Sequence, residues 1–193
     1  LEIVPGSYQL TRERIIETIN EIKDRNAFMI FIGGEHLITL PICEALKPKT
    51  IIQLDAHSDT RSDYLGNEYT QQTWAWHASK FAKIFQIGVV SLNREESDEI
   101  KKNENIKLIE IDELDLNKLE KPIHLSIDID VFANVETGLP EGKLNPDDVF
   151  PLLEKIAPLI SSMDIVEISA TSLPSKTGFL AADIIKRILA ARI

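Results

Sequence analysis

Six short apolar runs recur along the chain, at 27–32, 50–54, 84–90, 106–109, 122–127 and 163–168. They are rich in Ile and Val and mostly apolar on both faces, the pattern of parallel strands covered by helices. Between them, apolar positions recur three and four residues apart. Thr11 is placed to cap a helix whose Ile15, Ile19 and Ile22 fall on one face. Further helices are predicted over 37–46, 70–82, 94–103, 146–160 and 177–191, with Asn145 and Pro146 suited to the cap and first turn of the helix from 146. This alternation predicts an α/β fold in three layers, α/β/α, around a mostly parallel, open sheet with right-handed crossovers. No repeat, low-complexity tract or linker interrupts it, so 1–193 reads as a single domain. The least regular stretches, 60–69 and 131–145, each follow a predicted strand. Loops after the carboxyl ends of parallel strands build the binding crevice, so these two are expected to shape the site.

Composition narrows the picture. The chain has 193 residues, 44% hydrophobic and 27% charged, enough for a real core and unlike a disordered segment. With 21 Lys and Arg against 31 Asp and Glu, the net charge is −10, which argues against nucleic acid or an anionic membrane as partner. No apolar run is long enough to cross a bilayer. Cys43 is the sole cysteine, so an internal disulfide and a thiolate-built metal site are both excluded. The chain opens at Leu1, with no charged stretch and apolar run after it. The expected setting is cytoplasmic.

Three segments place metal-competent residues where predicted strands end: Gly33-Gly34-Glu35-His36, Asp55-Ala56-His57-Ser58-Asp59 and Ser126-Ile127-Asp128-Ile129-Asp130. Alternate residues of extended backbone share a face, so Asp55, His57 and Asp59 point one way, as do Asp128 and Asp130. A glycine pair before one His is ordinary loop chemistry. Two carboxylates interrupting an apolar strand are not, because buried carboxylates are costly without a partner or a metal. Four carboxylates and two imidazoles, without thiolate, suit Mn²⁺, with Fe²⁺, Zn²⁺ or Co²⁺ as alternatives. Six ligands exceed the usual share of one ion. Bridging carboxylates would let the set hold two, about 3.5–4 Å apart, with hydroxide available near neutral pH.

With these segments in this order, the sequence resembles the ureohydrolases, which include arginase, agmatinase, formiminoglutamase and guanidinobutyrase. The three segments look like the family's Gly-Gly-Asp/Glu-His, Asp-Ala-His-X-Asp and Ser-X-Asp-X-Asp motifs. Asp164-Ile165-Val166-Glu167 looks like its late strand ending in a substrate-facing Glu. The resemblance runs from about Thr11 to the end and implies an arginase-like fold, with the family's N-terminal strand-and-helix portion short or missing. It also implies two Mn²⁺ per chain, one held by His36, Asp55, Asp59 and Asp128, the other by Asp55, His57, Asp128 and Asp130. Asp55 and Asp128 would bridge, and Asp59 would orient the bridging hydroxide. Hydroxide would attack the guanidinium carbon, releasing urea and an amine. Glu167 would pair with the guanidinium through its planar fork. Asn67, with Thr60, Ser62, Asp63 and Thr70, would offer polar contacts to the rest of a small guanidino substrate. The family's assembly, a homo-oligomeric trimer or hexamer, is expected too.

Four departures from the family pattern surround these residues. Gln71-Gln72 stands where a His-Gly pair is usual, and Gln cannot titrate; His77 follows nearby, read as a helix-surface histidine. After Asp130 the usual Asp-Pro is absent and the loop through 137–144 is shorter. Leu37 replaces Ser, and Ser169-Ala170 replaces Asn-Pro. This pattern admits an alternative: a member with an intact metal site but lost or altered activity, serving as a binding or regulatory protein. A binuclear phosphoesterase is disfavoured by motif order, and a deacetylase-like enzyme by its smaller ligand set. His124, on the face of Ser126 and Asp128, is assigned behind the site. Trp74, Trp76 and Cys43 are assigned to packing.

Overall fold

The computed structural model describes residues 6–23, 27–138, 140, 142–169 and 174–193. Among them run six strands: β1 (Met29–Ile32), β2 (Thr50–Leu54), β3 (Lys83–Ile87), β4 (Ile106–Leu108), β5 (Ile123–Asp128) and β6 (Ser162–Val166). Every pairing between them is parallel, and the order across the sheet is β1-β6-β5-β2-β3-β4. The helices are α1 (Tyr8–Ile22), α2 (Thr39–Leu46), α3 (Trp74–Ala78), α4 (Arg94–Lys102), α5 (Pro146–Ile156) and α6 (Lys176–Ala191). The expected open parallel α/β sheet is present. None of these helices is long and apolar enough to cross a membrane.

The chain winds outward from β2 through β3 to β4, then returns to lay β5 against the other side of β2 and moves on to β6. The winding therefore reverses between β2 and β5, and a crevice opens outside the carboxyl ends of strands at such a reversal. Leu54 pairs with Ile127, so Asp55 and Asp128 emerge there side by side. β1 and β6 bring the Gly33-Gly34 turn and Glu167 to the same end, joined by hydrogen bonds from Gly33 N to Ile165 O (3.1 Å) and Glu167 N to Gly34 O (2.8 Å).

The two-residue period of the strands divides the core. Ile52, Leu54, Ile123, Leu125, Ile127, Met163 and Ile165 pack with Val149, Leu153, Ile156, Ile184 and Ile188 of α5 and α6. Ile51 and Ile84 turn to the other face, against Leu37, Leu40, Cys43, Trp74 and Ala78. Ile15 and Ile19 of α1 meet Ile42 and Ala45 of α2. Cys43 is a core residue, as expected. In β5 and β6 the residues opposite the first cluster are polar and buried: His124, Ser126 and Asp128, with Ser162 and Asp164 alongside.

The structure revises several boundaries. Ser7, not Thr11, caps α1, accepting from Leu10 N; Thr11 lies inside the helix. The helix expected over 70–82 contracts to α3, because Ala75 N and Trp76 N both donate to Asp59 O (3.2 and 3.4 Å) while Thr73 Oγ1 donates back to Glu68 O (2.8 Å). The helix expected from 37 opens with a 3₁₀ turn, His36–Ile38. The helix expected to reach 160 stops at Ile156, where the Arg192 guanidinium donates to Ala157 O and Ile160 O. The run 84–90 ends as a strand before Gly88, whose φ is 94°, and 163–168 ends before Glu167, whose φ is 59°. Leu1, Ala170 and, within the 137–144 loop, Leu139 and Glu141 lie outside the described residues.

Within the loop after Asp130, a Cβ built on Gly142 would stand 2.2 Å from Val131 O and 2.9 Å from Val131 Cα. Gly142 N also donates to Asp130 O. Gly142→Ala would push backbone from backbone with no side chain free to yield. It is expected to destabilise the fold by about 2 kcal/mol, in the range of overpacked cores, as a lower urea midpoint. An unchanged midpoint would contradict this packing.

Candidate metal centre

His36 reaches the centre because the Gly33-Gly34 turn lets the 3₁₀ turn fold back over the end of β1. A Cβ on Gly33 would stand 2.0 Å from the Ile38 side chain. His36 is 1% exposed, and its Nδ1 faces three carboxylate oxygens: Asp55 Oδ2 at 3.2 Å, Asp59 Oδ2 at 3.3 Å and Asp128 Oδ2 at 3.3 Å. On the other side of Asp55, His57 Nδ1 lies 3.7 Å from Asp55 Oδ1 and 2.8 Å from Asp130 Oδ2. Two groups able to hold a cation result, His36 with Asp55 and Asp128, and His57 with Asp55 and Asp130. Asp55 belongs to both, and Asp59 joins the first through its approach to His36.

The fold anchors these carboxylates through donors aimed at particular oxygens. His57 N donates to Asp55 Oδ1 (2.7 Å), and Gln53 Nε2 to Asp55 Oδ2 (2.7 Å). Gln53 is in turn held by Gln86 Nε2 (2.8 Å). Asp130 N donates to Asp128 Oδ1 (2.9 Å), and Ala56 N to Asp130 Oδ1 (3.1 Å). The Trp74 indole N–H donates to Asp59 Oδ2 (2.9 Å). Asp59 adopts a left-handed backbone, φ 53°, a conformation Asp tolerates better than most residues. Its carbonyl meets α3 while its carboxylate turns inward.

Among the ligand candidates, His36 Nδ1 and Asp130 Oδ2 are buried without a hydrogen-bond partner. Both have ionic neighbours at 2.8–3.3 Å, but not along an N–H direction. Neighbouring ligands of a cation held at about 2.0–2.2 Å stand roughly 3–3.5 Å apart. The oxygens and nitrogen around His36 Nδ1 match that spacing, so the residues present fit a divalent ion. Charge agrees. Burial, and then the charge of Asp55, raise Asp59 to about 7, and the same causes push Asp128 well above the ordinary carboxylate range. Burial would raise Asp55 too, but His36 and His57 hold it down at about 2. Asp130 and Asp55 raise His57 to about 11. For His36, burial is outweighed by Asp128, Asp55 and Asp59, and its pKa rises. Without a cation, protons take the place of positive charge here.

Glu167 stands at the rim, half-buried, with Oε1 accepting the His36 backbone N–H (2.9 Å). Burial raises its pKa. Asn67 is exposed in a turn closed against Tyr64 (2.8 and 3.0 Å). No contact among the described residues joins its side chain to the carboxylates. Gln71 N donates to Glu35 Oε1 (3.2 Å), docking the 70–73 stretch on the Gly-Gly-Glu-His segment. His77, in the last turn of α3, bonds Glu68 O (2.8 Å) and stacks on Tyr69 at 4.5 Å, away from the centre. Trp76 Nε1 donates to Glu99 (3.2 Å). His124 is buried behind the centre, as expected, 2.8 Å from Asp164 Oδ2. Burial would raise Asp164, but His124 and Ser126 hold it below the usual range. Sequence reasoning missed Trp74, Gln53, Gln86 and Asp164 as supports. Asp164 carried the same signal as Asp128, a charge inside an apolar strand.

A site at the reversal point of a parallel sheet, built from Asp and His at the ends of three strands, sets the chain among metallohydrolases of arginase-like fold. The Arginase family model matches residues 1–191. The chain belongs to the arginase family, and with it to the hydrolases. It is 32% identical over 201 residues to an N(1)-aminopropylagmatine ureohydrolase of Thermococcus kodakarensis, covering 96% of this chain and 69% of that one. It is 32% identical over 198 residues to an agmatinase of Pyrococcus horikoshii, covering 94% and 70%. Among solved structures, the agmatine ureohydrolase of Thermoplasma volcanium superposes with a TM-score of 0.82 at 27% identity, covering 94% of this chain and 68% of that one.

Proposed function

We propose that this chain is a binuclear manganese hydrolase of a linear amidino compound, a guanidine, releasing urea and an amine. The observation that carries the reading is the convergence of His36, Asp55, Asp59, Asp128, His57 and Asp130, with His36 Nδ1 and Asp130 Oδ2 buried and lacking hydrogen-bond partners. His36, Asp55, Asp59 and Asp128 would hold one ion, and His57, Asp55, Asp130 and Asp128 the other. Such a pair, when bound, supplies Lewis acidity and hydroxide near neutral pH. The chain does the rest. Asp59, steadied by the Trp74 indole, accepts a hydrogen bond from the attacking oxygen and orients it. Glu167, turned by its left-handed backbone toward the His36 side of the crevice, pairs with the guanidinium. A net charge of −10 attracts a cationic guanidine to the crevice. The relatives named for agmatine and aminopropylagmatine support an alkylguanidine of this kind. The reading includes the family's homo-oligomeric assembly, a trimer or hexamer, and a cytoplasmic setting.

The test is metal content and urea release on one Mn²⁺-loaded preparation, with agmatine, arginine, guanidinobutyrate and guanidinopropionate. Two Mn²⁺ per chain and urea from a guanidine, lost in Asp128→Asn, is the expected result. Fewer than one Mn²⁺ per chain at saturation would sink it. Gln71-Gln72 favours a second reading, since neither side chain can deliver a proton to the leaving amine. Two Mn²⁺ with no urea from any guanidine would select a member that binds without turnover.

A further inference from the structure

Behind His36 lies a buried chain of hydrogen bonds that runs through Ser126 to Asp164. Asp164, 0% exposed in β6, receives three groups from two other elements. Ser126 Oγ of β5 donates to its Oδ1 at 2.7 Å, Thr39 Oγ1 of α2 donates to its Oδ2 at 2.9 Å, and His124 Nε2 of β5 lies 2.8 Å from Oδ2. Ser126 and Asp164 are direct cross-strand partners. Ser126 Oγ also lies 2.9 Å from His36 Nε2.

We propose that Asp164 is a positioning residue that, through Ser126, fixes the neutral His36 imidazole with its proton on Nε2 and its lone pair on Nδ1, facing Asp55, Asp59 and Asp128. The assignment follows from counting protons. A carboxylate only accepts, and a serine hydroxyl has one proton. That proton goes to Asp164 Oδ1. Thr39 gives its own to Oδ2, and its 3.4 Å approach to Ser126 is too long to compete. Ser126 Oγ therefore meets His36 Nε2 as an acceptor, and Nε2 must carry the hydrogen. The remaining ring nitrogen is Nδ1, buried without a hydrogen-bond partner. Outer partners of this kind set the tautomer and ring orientation of a ligating histidine.

The proposal rests on the reading of His36 as a metal ligand, and the experiment separates the two. Mn²⁺ is titrated calorimetrically into the full chain and into Asp164→Asn, Ser126→Ala and His36→Ala, with Mn²⁺ electron paramagnetic resonance at each stoichiometry. Asp164→Asn and Ser126→Ala are expected to weaken one of the two binding steps about 10–100-fold, leaving the step that uses His57 and Asp130 unchanged. Isolated-ion spectra would then persist where the wild type shows a coupled pair. A merely structural role would lower both steps together with the melting temperature, and that result overturns the proposal. So does unchanged binding in both variants when His36→Ala loses a step. Unchanged binding in His36→Ala itself removes the ligand reading and the proposal with it. Should Asp164→Asn fail to fold, Ser126→Ala, which keeps the carboxylate, decides.

Discussion

Asp55→Asn is expected to lose tight binding of both divalent ions, the largest effect of any single substitution in this chain. Asp55 stands in both groups that the structure brings within ligand reach, His36-Asp55-Asp128 and Asp55-His57-Asp130, whereas Asp128 stands in the first. Asp55 Oδ2 lies beside His36 Nδ1 and its Oδ1 faces His57. Asparagine removes a full negative charge from both. It also leaves one acceptor oxygen where two are used, so its amide N–H₂ would meet a donor on either side, Gln53 Nε2 or the His57 backbone N–H. The loss should exceed the roughly 10–100-fold typical of an outer-shell change in each step of a Mn²⁺ titration. Asp130→Asn, by contrast, is expected to weaken the step that uses His57 far more than the other. An Asp55→Asn protein that kept one ion at full affinity would contradict a shared carboxylate.

Mn²⁺ affinity is expected to climb steeply between pH 6 and pH 8. Near neutral pH, without the metal, His57 (raised to about 11 by Asp130 and Asp55) is protonated, and Asp59 (raised to about 7 by burial and by Asp55) is about half protonated. His36 and Asp128 are shifted upward as well. A cation enters only as these protons leave. Each proton displaced changes the apparent affinity by about tenfold per pH unit. Raising the pH removes the competitor, so affinity rises; lowering it restores the competitor, so affinity falls. With two protons displaced, the change is about 100-fold per unit, and calorimetry in buffers of different ionisation enthalpy reads the number directly. Affinity independent of pH over this range would show that the centre does not hold those protons.

The elements of the sheet were legible because their residues obey one period throughout. Thr50–Leu54 begins and ends where its apolar run does, being buried on both faces. Asp128 and Asp130 were legible for the converse reason, as charges where the pattern demanded apolar residues. The length of α3 was not, because the carbonyl that takes its first amides belongs to Asp59, fifteen residues from the Trp74 whose indole binds the same aspartate. Trp74 reads as a core residue, and it is one; only the folded chain shows its N–H committed to a carboxylate. Asn67, placed by analogy at the substrate, follows a loop whose path depends on Tyr64 and Glu35 contacts that no spacing encodes. The order of strands was hidden as well, since β1 and β2 follow each other in the chain yet stand apart in the sheet.

That order also bears on when the centre forms. The bond that ties the Asp55 loop to Asp130, from Ala56 N to Asp130 Oδ1, joins residues 74 positions apart. Closing so long a stretch is entropically costly, and sheets dominated by such pairings fold in milliseconds to seconds rather than microseconds. His57 and Asp130 can therefore meet only once β5 has docked beside β2. A divalent ion finds scattered, separate carboxylates in the unfolded chain and the assembled cluster only in the finished one. Bound there, it would act as a latch on a completed fold, holding the native state by mass action, and not as the seed around which the chain gathers.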